Sequence, residues 1–129
     1  MKLTNNTIYT LAISQEFEDF KSYIPAKANF AIQKNFSAIA NAAKEIDKAR
    51  IEVIKHYGVE DETDGKYTIP QENLEKANQE LLELFELEQE LDIRTFTIED
   101  LGSAEFTPAQ MQTIMFMIEE WPLRLPLSF

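Results

Sequence analysis

One stretch limits the possible folds more than any other. Residues 25–57 repeat apolar side chains at Ile32, Phe36, Ile39, Ala43, Ile46, Val53 and Tyr57, with Arg50 in the one remaining slot. Steps that alternate between four and three residues place one stripe on a single helix face. Pro25 suits the first turn of such a helix, and Gly58 suits the left-handed position that follows its end. A stripe this long has to be covered. The pattern therefore predicts a second long helix, a terminal helix and a small extended segment packed against it.

The remaining elements follow in chain order. Thr4 to Tyr23 reads as a first helix, with Thr4, Asn5 or Asn6 as cap and Ile13, Phe17, Phe20 and Ile24 at helical spacing. Ile8, Leu11 and Ala12 sit on a neighbouring stripe. Val59 to Pro70 is a connector around Asp64-Gly65, a strong turn signal, and Val59 with Tyr67 and Ile69 predicts a short hairpin. Gln71 to Leu91 reads as an acidic helix with Leu74, Ala77, Leu81, and Leu84 or Phe85 on its apolar face. Leu82 and Leu87 fall away from that face, toward another element or another copy. Ile93 to Ile98 is rich in β-branched and aromatic residues and is the best strand candidate, with Lys66–Ile69 or the first residues as partner. Thr107-Pro108-Ala109-Gln110 is a capping box with proline at the first helical position, opening a helix over Pro108–Glu120. Trp121 to Phe129 alternates Pro and Leu and is too apolar for a free tail.

The expected fold is mainly α: a long antiparallel helical hairpin with flanking N- and C-terminal helices and a small two-stranded β element. A chain of 129 residues is expected to form one domain. Its parts are an N-terminal helix (1–24), the helical hairpin (25–92), a strand and C-terminal helix (93–120) and an apolar tail (121–129).

The net charge of -11 narrows the partners. Phosphate backbones attract Lys and Arg, so direct binding to nucleic acid is disfavoured. A basic protein partner, or mimicry of a nucleic acid, is permitted. The long helix carries six of the 12 basic residues, Lys27, Lys34, Lys44, Lys48, Arg50 and Lys55, and its lysines are expected to face the glutamates of the acidic helix. Without cysteine there is no disulfide, no thiolate nucleophile and no cysteine metal site. No signal peptide is visible at Met1–Asn6, and no apolar run approaches the roughly 18 residues that span a membrane, so a soluble, intracellular protein is expected.

Catalytic patterns are missing too. His56, the single histidine, sits in the last turn of the long helix, where it suits the dipole. There is no Gly-rich phosphate loop, dinucleotide fingerprint or nucleophile elbow. Glu16, Glu18 and Asp19 supply carboxylates without a pairing that sets one pKa against another. Glu60, Glu62, Asp64 and Gly65 partly match a calcium loop, but its first place is Glu and its twelfth is Gln71. No enzyme, cofactor or metal is expected.

Several short pieces carry a resemblance. Ile24-Pro25-Ala26-Lys27 leads into a long helix ending His56-Tyr57-Gly58; an acidic connector and helix follow; then come Ile98-Glu99-Asp100-Leu101, Phe106-Thr107-Pro108-Ala109-Gln110 and Met117-Ile118-Glu119-Glu120. Over Met1–Glu120 the chain resembles a family of small uncharacterised bacteriophage and prophage proteins. In phages of Gram-positive bacteria these are often encoded near tail or late structural genes. The resemblance implies a location in the host cytoplasm or on the virion, and it carries over no catalytic residue. The expected function is protein–protein contact in virion assembly, tail first, through self-association of the hairpin and docking by Trp121, Leu125 and Phe129. The alternative is an inhibitor of a host nucleic-acid-binding protein, with Glu80, Glu83, Glu86 and Glu90 standing in for phosphate.

Overall fold

The computed structural model describes residues 1–14 and 22–119. Mainly helical, it contains four α-helices among those residues: α1 (Asn5–Ile13), α2 (Ala26–Tyr57), α3 (Gln71–Glu86) and α4 (Pro108–Ile114). Strand β1 (Lys2–Thr4) pairs antiparallel with β4 (Glu88–Glu90), and β2 (Val59–Glu60) pairs antiparallel with β3 (Tyr67–Thr68).

The long helix runs as its periodicity predicts. Ile32, Ile39, Ala43 and Ile46 are buried, while Phe36, Val53 and Tyr57 are half-buried. A second row that the stripe omits, Ala28, Ala31, Asn35 and Ala42, is buried beside it. These small side chains let neighbouring chain approach closely. Gly58 departs from expectation, since its φ is -95° and its backbone extended. Glycine is required there sterically: a Cβ would lie 2.6 Å from the Ile54 carbonyl oxygen.

The first helix is shorter than its pattern. Thr4 caps it by accepting from the Thr7 N–H, and it ends at Ile13. Ile8 is the apolar residue it buries, whereas Ile13 is 64% exposed. The neighbouring stripe thus prevails. Ile24 is buried from a non-helical stretch, and Phe17 and Phe20 lie outside the described residues.

The acidic helix also stops early. Leu87, Gln89 and Leu91 fit alternation as well as helical spacing, and the N-terminal strand takes up that alternative. Lys2, Leu3 and Thr4 stand opposite Glu90, Gln89 and Glu88. Asn5, almost fully buried, locks the junction: its amide donates to the Leu84 carbonyl (2.8 Å) and accepts from Gln89 (2.7 Å), and its N–H donates to the Leu87 carbonyl.

The strand expected over Ile93–Ile98 is not formed. It is reduced to one parallel bridge between Phe96 and Ile118. Its expected partners pair elsewhere, the first residues with β4 and Tyr67–Thr68 with β2. The Asn35 side chain substitutes for a strand partner, accepting from the Arg94 N–H at 2.7 Å and donating to the Arg94 carbonyl at 2.9 Å. Ile98–Leu101 forms a 3-10 turn, closed by reciprocal Thr97–Asp100 capping. Gly102 ends it at φ 60°. The Thr107–Gln110 capping box forms as predicted, but α4 ends at Ile114 and passes into a 3-10 turn over Met115–Met117.

Two clusters make the core. One joins the first half of α2 to Phe96, Leu101, Ile114 and Met117; the other joins Ile8 to Ile39, Ala42, Ala43 and Ile46. Each fully buried isoleucine contributes about 1.5–3 kcal/mol of transfer free energy. Between Ile46 and Phe96, a stretch described throughout, Ala77 is the only fully buried residue.

Three exposed or partly exposed carboxyls are held below their ordinary range. The Thr97 N–H and then Lys27 lower Asp100; Arg50 and then Tyr9 lower Asp47; the N-terminal ammonium lowers Glu90. A depressed carboxyl pKa stabilises the fold above the unfolded value, and that contribution is lost as pH falls through the folded value. The thermal midpoint is expected to drop as pH is taken below about 4. Asp100→Asn is expected to shrink that drop; an unchanged pH slope in Asp100→Asn contradicts the assignment.

Candidate protein-docking surface

The outer side of α2 carries a second stripe at the same spacing as the core stripe. Phe30, Lys34, Ser37, Asn41, Lys44, Lys48, Ile51 and Lys55 follow in steps of four and three, and all are exposed. Its first half is partly satisfied within the molecule. The Phe30 ring lies between the Lys34 ammonium (5.6 Å) and the Arg94 guanidinium (5.4 Å), a pair of cation–π contacts. Its second half is not. Lys44, Lys48 and Lys55 make no ion pair among the described residues.

On α3 the outer stripe is Glu72, Glu75, Gln79, Leu82 and Glu86, all exposed. An open groove lies along it, lined by Gln71, Leu74, Glu75, Asn78, Gln79 and Leu82. Leu82 is 54% exposed, a large apolar side chain among acids and amides.

The expected lysine–glutamate pairing of the two helices is not what joins them. The ion pairs among the described residues are Met1–Glu90, Lys27–Asp100 and Arg50–Asp47. Instead Leu84 and Phe85 pack against the cluster that holds Ile39 and Ile46, and the Asn73 amide donates to the Tyr57 carbonyl; Phe85 also meets Tyr9 of α1 edge-on at 5.5 Å. Both charged faces point outward, where each long side chain keeps its rotamer freedom and its hydration.

The four glutamates singled out in sequence do not share a face. Steps of three residues turn a helix face by about 60° each, so Glu80 and Glu86 point about 120° apart. The Glu80 carboxylate beside Tyr57 pushes its phenol upward. Glu83 accepts from Gln79 at 3.1 Å. Glu90 sits on β4, not on the helix, and binds the N-terminal amine at 2.7 Å. Glu86 is the one that lies on the outer stripe. Glu72 and Glu75 join it there; strictly alternating steps of three and four are the signal in the sequence. Trp121, Leu125 and Phe129 lie outside the described residues.

The connector acids serve the turn. Asp61 accepts from the Thr63 N–H and Asp64 from the Lys66 N–H, with Gly65 at φ 70°. Among the described residues no group of three or more His, Asp or Glu is placed to hold a metal ion. His56 is exposed and stacks edge-on against Tyr57 at 4.6 Å. No described helix is long and apolar enough to cross a membrane.

Compared with protein-family models, curated proteins and solved structures, the chain matches none of them.

Proposed function

We propose that this chain is a non-enzymatic accessory protein that acts by protein–protein contact, in the assembly or structure of a phage virion, the tail first. The observation that carries the reading is the uncovered second half of α2 with α3. Over residues 47–95 the chain buries Ala77 alone, while Ile51, Leu74, Leu82 and Leu87 are exposed. Apolar side chains spread over one uncovered pair of helices suit a partner's surface. In this reading α2 and α3 form an antiparallel hairpin projecting from the core. The Asn73–Tyr57 hydrogen bond at one end, and the packing of Leu84 and Phe85 against the cluster that holds Ile39, Ala42, Ala43 and Ile46, support that arrangement. The phage setting, and with it the host cytoplasm or virion as location, rests on the resemblance of short sequence pieces.

One observation favours the acidic-inhibitor alternative: Glu72, Glu75 and Glu86 are exposed and make no ion pair among the described residues.

Affinity capture of the tagged protein from phage-producing cells, at low and high salt, separates the two. Recovery of virion proteins at both salts is the expected result, because apolar contacts resist screening. Recovery of a basic host protein at low salt alone, lost when Glu72, Glu75 and Glu86 are neutralised together, supports the inhibitor and overturns assembly.

A further inference from the structure

The two outer stripes match each other. On α2, Lys44, Lys48, Ile51 and Lys55 follow in steps of four, three and four; on α3, Glu75, Gln79, Leu82 and Glu86 follow in the same steps. Aligned in the same chain direction, they oppose lysine to glutamate at both ends, lysine to glutamine at the second place and isoleucine to leucine at the third. We propose that α2 of one copy of this chain docks along α3 of a second copy in that register. The proposal rests on the protein-contact reading above and names the partner.

Charge complementarity selects this occupant. Lys44 and Lys48 stand one helical turn apart and repel, as do Glu72 with Glu75 and Glu83 with Glu86 on α3. Like charges at this spacing destabilise each helix slightly, and none of these side chains makes an ion pair among the described residues. A second copy brings the opposite sign to both stripes at the same pitch. The apolar pair fixes the register. Reversing the direction of α3 over the same eight residues sets Ile51 against Gln79 and Leu82 against Lys48, which loses the apolar match. Each copy offers one basic and one acidic stripe, so the contact closes as a two-fold dimer when reciprocated and extends as a chain of copies when it is not.

Sedimentation of the full chain at low salt tests the proposal. The expected mass is twice 14.9 kDa or a higher multiple. Lys48→Glu with Lys55→Glu makes both stripes acidic, and Glu75→Lys with Glu86→Lys makes both basic. Each double variant is expected to associate on the order of a hundredfold more weakly than the natural chain. Mixed together, the two variants are expected to form mixed assemblies, because opposite signs face each other again. Far-UV spectra and melting curves show that each variant is folded. Should either fail to fold, the cysteine-free chain offers a second test. An Ile51→Cys chain mixed with a Leu82→Cys chain is expected to give a disulfide-linked pair under mild oxidation.

A natural chain of 14.9 kDa at every concentration overturns the proposal, as does association that charge reversal leaves unchanged or variants that do not associate on mixing. A monomer that still captures virion proteins at both salts removes self-docking and leaves the protein-contact reading standing. Self-association with no captured protein does the reverse.

Discussion

Replacing Phe96 with alanine is expected to cost about 3–5 kcal/mol, among the largest losses a single change in this chain produces. Phe96 is 2% exposed and lies in the cluster of Ile32, Leu101, Ile114 and Met117. Its backbone holds the C-terminal segment as well, donating to the Met117 carbonyl and accepting from the Glu119 N–H. Truncation removes ring contacts on every side, and the surrounding helices are too constrained to collapse into the space. The loss is a large fraction of the roughly 5–15 kcal/mol that holds a domain together. Phe96→Leu keeps much of the volume and is expected to lose less than half as much. Ile13→Ala is the control: at 64% exposure it is expected to change stability by no more than about 0.5 kcal/mol. Denaturant melts of the three variants check the ordering. Equal losses for Phe96→Ala and Ile13→Ala contradict the placement of the core.

The contrast between Phe96 and Ile13 also marks where sequence reasoning holds in this chain. Local signals with a fixed chemical geometry were legible: the 32-residue helix from its spacing, the β2–β3 turn from Asp64-Gly65, and the Thr107–Gln110 capping box. What was illegible depends on competition between distant segments. Ile93–Ile98 has the composition of a strand, but strand pairing is a choice between distant segments, and Lys2–Thr4 pairs with Glu88–Glu90 instead. That same pairing shortened the acidic helix and moved Glu90 off it. On α1, two stripes competed, and burial of Ile8 against Ile39 and Ala43 decided for the one without Ile13.

The candidate surface was legible in composition and not in geometry. Counting acids identified the third helix as charged; only the rotation of each residue about the helix axis separates Glu75 and Glu86, which face out, from Glu80, which reaches Tyr57. The outer stripe of α2 was open to detection by the same test that found the inner one. A four-three series from Phe30 to Lys55 runs parallel to the core series, and two such series on one helix leave a face for something else to cover.

Asn35→Leu is expected to destabilise by about 3 kcal/mol although it makes the core more apolar. Asn35 is fully buried on the inner side of α2, between Ile32 and Ile39. Its amide orientation is fixed by its partner: the Arg94 N–H can only donate, so the side-chain oxygen faces it, and the nitrogen faces the Arg94 carbonyl. A leucine leaves both backbone groups of Arg94 without a partner inside the protein, at about 1–3 kcal/mol each. Its own apolar burial offsets part of that. Asn35→Asp separates the two bonds. It keeps an acceptor for the Arg94 N–H, loses the donor to the carbonyl and brings a carboxyl into a buried site. Its stability is therefore expected to improve as the carboxyl protonates at low pH, opposite in sign to the acid loss expected of Asp100. Thermal melts of both variants between neutral and acid pH read this directly. A near-neutral Asn35→Leu means that Arg94 is held by something other than Asn35. The segment from Ile93 to Phe96 would then owe its place to the burial of Phe96 alone.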